Sequence, residues 1–423
     1  MAESRRAADE RALRPGHRLE LLRGGAAYFS ALGAAIDAAR AEVLVESYIF
    51  EFRGAPADVA AALERAAARG VKVRVAVDGI GTDPIPAEWQ RRWQAAGVQW
   101  RVFNPARGWR VLLPQRWRRL HRKLSVIDGR VCFCGGINLI DDYLDPNYGR
   151  LEQPRFDFAV RATGPLVADA HETMTRLWLR MQVASEARHF DFAGALATVQ
   201  KAAHAGTDAD DPHMAAEDLS NPPGAAAGPG LLAGLVLRDN VRFRRRIEHY
   251  YRYAIAQAKS EILIANAYFV PGVALQRALL RAAHRGVKVT LLLQGRYEYF
   301  MQHHTSRAMY GVMLDAGIDI IEYAPSFLHA KVAVFDGTQG AMATVGSSNL
   351  DPLSLLLARE ANIFVRDDGF ADELRNHLLA AVRSGGKRVE KSSYSSRPFL
   401  HRSLAWVAYG AMRFALFATR HRY

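Results

Sequence analysis

Along this 423-residue chain the hydrophobic positions fall into one order of elements, and that order occurs twice. Residues 34–50, AAIDAARAEVLVESYIF, place their apolar and polar side chains as residues 253–269, YAIAQAKSEILIANAYF, do. In each, an Ala-rich stretch with helical spacing gives way to a short, nearly continuous apolar run, the pattern of a buried strand. A second pair follows, ARGVKVRVAVDG at 68–79 and HRGVKVTLLLQG at 284–295. A third pair, HRKLSVID at 121–128 and HAKVAVFD at 329–336, completes each copy. The predicted order in each half is therefore helix, buried strand, helix, GVKV strand, and a strand that starts with His and Lys. Near-continuous strands alternating with helices predict an α/β fold whose sheets are mixed, largely parallel and covered on both faces. Two such duplicated α/β lobes would face each other across a pseudo-twofold active-site cleft.

Composition shifts mark the borders. Residues 185–232 turn rich in Ala, Gly, Pro and Asp (AGTDADDPHM, NPPGAAAGPG), the make-up of a linker. The expected division is a first lobe over 1–184, the linker, a second lobe over 233–383, and a basic tail over 384–423. That tail ends in LAWVAYGAMRFALFAT, apolar almost all round but broken by Arg413. It falls short of the ~20 apolar residues that a spanning helix needs. A helix lying in the membrane interface fits it, and a terminal helix docked on the protein's own core is the alternative. The first 22 residues are charged and hold no apolar stretch, so no secretory signal or anchor is expected there.

Half of the residues are hydrophobic, enough for each lobe to bury its own core. Lys and Arg outnumber Asp and Glu by 56 to 43, a net charge of +13. Such an excess favours a polyanionic partner, either nucleic acid or an anionic membrane surface. The stretch 104–123 concentrates it, with Arg107, Arg110, Arg116, Arg118, Arg119 and Arg122 interleaved with Trp109 and Trp117. Arg and Trp together suit lipid headgroups; they also stack on single-stranded nucleic acid or form a solvated basic loop. The two cysteines, Cys132 and Cys134, lie two apart in an apolar run and share one face of a strand. They lack the further ligands of a zinc site, and His303-His304 has no acidic or cysteine partner nearby, so neither metal nor cofactor is expected.

The chemistry rests on the third pair. His121 and Lys123, and His329 and Lys331, stand two apart, so on a strand each pair would project into the cleft together. Asp128 and Asp336 end the strands before glycine, a turn signal. The following strands lead to Gly-rich segments, GGIN at 135–138 and GSSN at 346–349, that bring Asn138, Ser347 and Asn349 beside the histidines. Two lysines, two amides, Ser347 and loop N–H groups make an anion site suited to a phosphodiester. One neutral histidine would attack phosphorus while the other, protonated, serves the leaving alkoxide. A carboxylate should orient each imidazole, with Asp157 downstream of the first motif and Glu360 downstream of the second as candidates. The motif aspartates fit a turn as well as a substrate contact. Glu46 and Asn266, near Tyr48 and Tyr268, fit a cleft lining or a structural role.

These motifs resemble the phospholipase D superfamily, whose members carry HxKxxxxD twice with a trailing G-[GS]-x-N; both copies here match. Within it the chain is similar to the short bacterial cardiolipin synthases that lack N-terminal spanning helices. RLHRKLSVIDGRVCFCGGIN, IANAYFVPG at 264–272, and VGSSNLDPLSL at 345–355 followed by EAN at 360–362 carry that likeness. The long Ala/Asp linker departs from the pattern. The resemblance implies His121, Lys123, Asp128, His329, Lys331 and Asp336 as catalytic residues, with precedent leaning to His121 as nucleophile. It implies a phosphatidyltransferase acting on phosphatidylglycerol or another phospholipid to give cardiolipin. It further implies an enzyme held peripherally at the cytoplasmic face of the bacterial inner membrane, with nucleic acid the disfavoured partner. A phospholipase or nuclease using water on the same site is the competing reading.

Overall fold

The computed structural model describes residues 13–105, 118–145, 148–188, 230–239, 243–297, 300–351 and 358–392. Most of the linker, the centre of the Arg/Trp stretch with both its tryptophans, and the apolar C-terminal segment lie outside the described residues. The first lobe contributes β1 (Arg14–Arg23), β2 (Glu42–Ser47), β3 (Lys72–Asp78), β4 (Gln99–Phe103), β5 (Leu124–Ile127), β6 (Val131–Gly135) and β7 (Phe158–Thr163). The second lobe repeats them as β8 (Leu231–Arg238), β9 (Glu261–Asn266), β10 (Lys288–Gln294), β11 (Asp319–Tyr323), β12 (Lys331–Phe335), β13 (Met342–Gly346) and β14 (Ala358–Arg366), and adds an edge strand β15 (Gly386–Arg388). Helices α1 (Gly24–Asp37), α2 (Ala55–Ala68), α3 (Ala87–Ala96) and α4 (Leu166–Arg188) belong to the first lobe. Helices α5 (Arg246–Gln257), α6 (Val273–His284), α7 (Phe300–Ala308), α8 (Tyr310–Asp315) and α9 (Asp368–Gly385) belong to the second.

The strands run in one continuous order, β15-β11-β10-β9-β12-β13-β14-β8-β1-β7-β6-β5-β2-β3-β4. The antiparallel β1–β8 pair at the centre joins two mirror-ordered halves. The sheet is mixed, as expected, but it is not largely parallel. Among the described residues, one short parallel pairing, of Arg119–Leu120 to the start of β14, runs between the lobes. The parallel strand pairs within the first lobe are β2–β3 and β3–β4, and within the second β9–β10 and β10–β11. Helical crossovers make those pairs parallel, whereas the motif strands turn back on themselves as hairpins, β5–β6 and β12–β13. At the first of these, Asp128 and Gly129 take φ of 51° and 62°, conformations that Asp-Gly turns favour. Two borders also move. Helix α4 runs to Arg188, past 184, and β8 starts at Leu231, before 233. Composition alone misplaced them, because LLAGLVLR continues the small-residue texture of the linker while pairing along its length with β14.

Alternate residues of each strand enter different cores. Val43 and Val45 of β2 join the helices of their own lobe (Leu32, Leu63, Trp93), while Leu44 enters a core shared by both lobes. That shared layer holds Leu124, Cys132 and Cys134 from one half and Leu263, Val332 and Val345 from the other, closed by α4 and α9. Both cysteines are free thiols in it.

At the motif end of this layer the halves differ. Glu46 and Arg122 are buried, with Arg122 Nε 3.1 Å from Glu46 Oε2 but out of hydrogen-bond alignment. The matching positions in the second lobe, one step before the motif lysine and across from its strand, are Ala330 and Ala265. Removing one member of a buried ion pair strands the other charge. Glu46→Ala is therefore expected to lower stability by about 3–5 kcal/mol, and Glu46→Ala with Arg122→Ala to regain most of it. Urea unfolding midpoints check this; a double variant no more stable than the single one would contradict it.

Candidate active site

Each motif histidine lies just ahead of its strand rather than within it. The His121 N–H donates to the Arg359 carbonyl at 3.1 Å, and the His329 N–H to the Phe156 carbonyl at 3.0 Å. The segments leading in are anchored by the residues that end the GVKV strands. Asp78 accepts from the Leu120 N–H at 2.8 Å and from Arg119 at 2.9 Å. Gln294 Oε1 accepts from the Leu328 N–H at 3.3 Å. Each motif lysine then curls back on its own motif: Lys123 Nζ donates to the His121 carbonyl at 2.8 Å, and Lys331 Nζ to the His329 carbonyl. Asp78 and Gln294 were missed in the sequence, although both stand before glycine at the same place in the repeat.

The carboxylates pair crosswise. His121 Nδ1 stands 3.0 Å from Glu360 Oε1 and 3.1 Å from Oε2, and His329 Nδ1 stands 2.6 Å from Asp157 Oδ2. Each histidine is thus oriented by the other lobe, not by the carboxylate downstream of its own motif. The backbone fixes the exchange, since Arg359 and Phe156, whose carbonyls accept from the His121 and His329 N–H groups, immediately precede Glu360 and Asp157. Two half-sites become one site. A carboxylate on Nδ1 holds the ring orientation and tautomer and leaves Nε2 for chemistry. Tyr48 packs its ring 4.9 Å from that of His121, with Lys123 Nζ 5.4 Å from the Tyr48 centroid.

The two pairs are not equivalent. Ser347 Oγ donates to Glu360 Oε2, whereas Gly136 fills the corresponding place in the first lobe, where a Cβ would lie 2.3 Å from Asp157 Oδ1. Arg238 faces Glu360 across β8–β14, buried, with Nη2 2.6 Å from the Ala358 carbonyl. Gly24, which has no side chain, takes that place beside Asp157 and donates its N–H to the Asp157 carbonyl at 2.9 Å. Burial would raise Glu360, but His121, Arg238 and Lys123 outweigh it and hold the carboxyl below its usual range. Burial dominates at Asp157 and pushes it up to about 7. Burial lowers both histidines, His329 the further because Lys331, Lys123 and His121 add to it. Burial also brings Lys123 down to about 7.

The remaining candidates divide. Asn138 and Asn349 are buried; Asn138 Oδ1 accepts from the Ile49 N–H at 3.3 Å, and Asn349 Oδ1 has no partner among the described residues. Neither is hydrogen-bonded to a histidine among those residues. Asp128 and Asp336 sit at the far ends of β5 and β12, about 3.3 Å per residue away from the motif histidines. Their carboxylates accept from the backbone N–H groups of Arg40, Ala41 and Glu42, and of Lys259, Ser260 and Glu261. These bonds fasten each motif hairpin to the start of β2 and β9, and neither carboxylate is hydrogen-bonded to a motif histidine or lysine among the described residues. The strand partner of Lys331 is Asn266, so its counterpart in the repeat is Ser47 rather than Glu46.

Comparison with known proteins agrees with this architecture. The chain matches the family described as "Cardiolipin synthase, PLD-like domain" in two segments, residues 32–151 and 251–381. It is 33% identical over 410 residues to Cardiolipin synthase B of Salmonella typhi, covering 95% of this chain and 89% of that protein. It is 32% identical over 409 residues to Cardiolipin synthase B of Escherichia coli K12, with the same coverage. Among solved structures, phosphatidylserine synthase of Haemophilus influenzae Rd KW20 shares the fold with a TM-score of 0.66 over 98% of each chain, at 13% identity. Two phospholipase D-like halves joined in one sheet, with matches of this length in both, make the chain a member of the PLD-like cardiolipin synthase family.

Proposed function

We propose that this enzyme is a phosphatidyltransferase that makes cardiolipin from phosphatidylglycerol, or from another phospholipid donor, through a covalent phosphohistidine. The crossed His121–Glu360 and His329–Asp157 pairs carry the reading, because they set two imidazoles with free Nε2 atoms against two lysines in one buried site. His121 is the nucleophile. Its Nδ1–H faces a carboxylate that His121 itself, Arg238 and Lys123 keep ionised and to which Ser347 donates, which strengthens the lone pair on Nε2. As the Nε2–P bond forms, the P–O bond to the glycerol headgroup breaks, and that oxygen takes its proton from His329 Nε2. The second step reverses the first: the acceptor hydroxyl gives its proton to His329 while its oxygen displaces His121 from phosphorus. The His329–Asp157 pair, with its carboxyl near neutrality in pKa, is the proton carrier. Lys123, Lys331, Asn138 and Asn349 stabilise charge on the non-bridging oxygens.

Lys123 gives a pH signature. A cation with a lowered pKa is lost as pH rises, so kcat/KM for the donor is expected to fall through about pH 7. Lys123→Arg keeps the charge across that range and should remove this alkaline limb. A limb that persists unchanged in the Arg variant would assign it to another group.

No helix among the described residues is long and apolar enough to cross a membrane. The basic 104–123 stretch and the apolar tail after 399 are proposed to dock the enzyme on an anionic membrane surface, at the cytoplasmic face of the bacterial inner membrane. Phosphatidylglycerol vesicles without added metal test the activity, with lipid products resolved by mass spectrometry. Cardiolipin plus glycerol is expected; phosphatidic acid alone would make water the acceptor.

A further inference from the structure

A cavity of about 400 Å³ opens beside the Asp157 end of the site, between the first turn of α1 and the loop from β6 to β7. Gly24 and Phe156 line it. These are the two residues that flank the proton-carrying pair: the Gly24 N–H donates to the Asp157 carbonyl, and the Phe156 carbonyl holds His329. The corresponding position on the Glu360 side carries the long side chain of Arg238, buried to 2% exposure. Open space thus adjoins the backbone that holds the His329–Asp157 pair.

The lining suits an uncharged polyol. Asp142 is 8% exposed. Its Oδ2 accepts from the Gly25 N–H, and its Oδ1 has no hydrogen-bond partner among the described residues. Burial raises this carboxyl to about 6, as it does when a buried acceptor lacks donors. Gln153 and Tyr143 add amide and hydroxyl groups, and Phe29 and Phe156 give apolar walls. Arg155 is committed to the Asp141 and Leu144 carbonyls and to Asp145, at 2.7, 2.7 and 2.9 Å. Two cations, Arg23 and Arg155, and two carboxylates, Asp141 and Asp142, line the cavity, so no net positive charge selects a phosphate there, whereas adjacent hydroxyls would donate to the carboxylates.

Resting on the transferase reading above, we propose that this cavity is the alcohol subsite. It receives the glycerol moiety that leaves the donor and presents the incoming glycerol hydroxyl to His329. Asp142 accepts from the hydroxyls that do not react. The test uses the full chain with a phosphatidyl-p-nitrophenol donor in mixed micelles and deuterated glycerol as acceptor. Nitrophenolate release counts phosphatidyl-enzyme formed, and the ratio of labelled phosphatidylglycerol to phosphatidic acid reads capture by alcohol against water. Asp142→Asn keeps an acceptor for Gly25, and Ala26→Leu fills the cavity from an exposed helical position. Both are expected to lower the ratio roughly tenfold and to raise the KM for glycerol. The ratio is unaffected by how much enzyme is folded. An unchanged ratio in both variants overturns the subsite. Nitrophenolate release with phosphatidic acid as the only wild-type product, at any glycerol concentration, overturns the transferase reading and the subsite with it.

Discussion

His329→Ala should slow phosphatidyl transfer from a natural lipid donor by about 10³-fold, the worth of a positioned general acid, and His121→Ala should slow it to background. The two losses separate when the leaving group needs no proton. With phosphatidyl-p-nitrophenol the first step in His329→Ala bypasses the acid, so a burst of nitrophenolate, one per active site, should precede a slow second step. His121→Ala should give no burst, because no lone pair is left to form the N–P bond. The fold should survive both changes: each imidazole makes one hydrogen bond to a carboxylate, while the motif backbone is held by main-chain bonds that alanine retains. A burst in His121→Ala and none in His329→Ala would reverse the roles.

The crossed pairing makes a second large prediction. Glu360→Gln should cost of order 10²–10⁴-fold in rate by letting His121 take the wrong tautomer, and it should suppress the nitrophenolate burst. Asp157→Asn should impair natural donors to a similar degree yet keep the burst, since it disturbs the proton carrier. Pairing within each motif would give the opposite assignment, because Asp157 is the carboxylate downstream of His121. The observable is therefore qualitative. It also reports on Arg238: Arg238→Met should raise the Glu360 pKa and shift the acid limb of kcat/KM to higher pH, and Arg238→Lys should restore it in part.

Much of this arrangement was legible in the chain because duplication prints the fold twice. The paired apolar runs located the strands of both lobes, and HRKLSVID against HAKVAVFD marked the two segments that the crossed histidine–carboxylate pairs bring together. Asp128-Gly129 announced its hairpin, since a turn is a local matter of backbone conformation. The role of the same aspartates was not legible. Spacing from the histidine cannot tell a carboxylate that binds substrate from one that accepts the N–H groups of a distant strand start. The exchange of Asp157 and Glu360 was hidden for a related reason. It depends on β1 and β8 closing the two halves into one sheet, a contact between segments more than 200 residues apart. Parallel pairing was overstated because a fully buried antiparallel strand such as β12 reads as the same unbroken apolar run as a parallel one. The Glu46–Arg122 pair, replaced by Ala265 and Ala330, was written in the repeat but acquired meaning only once the register placed the two positions together.

The most direct test of the whole account is to find the covalent bond. Enzyme mixed with labelled phosphatidylglycerol would be quenched in base within the first turnover, digested, and its peptides sequenced by mass spectrometry. The proposed mechanism predicts a phosphatidyl group on His121 Nε2, present in wild type, enriched when His329 is replaced by alanine, and absent from the His121→Ala protein. The label on His329, or no phosphoramidate on either histidine while lipid product accumulates, would contradict it.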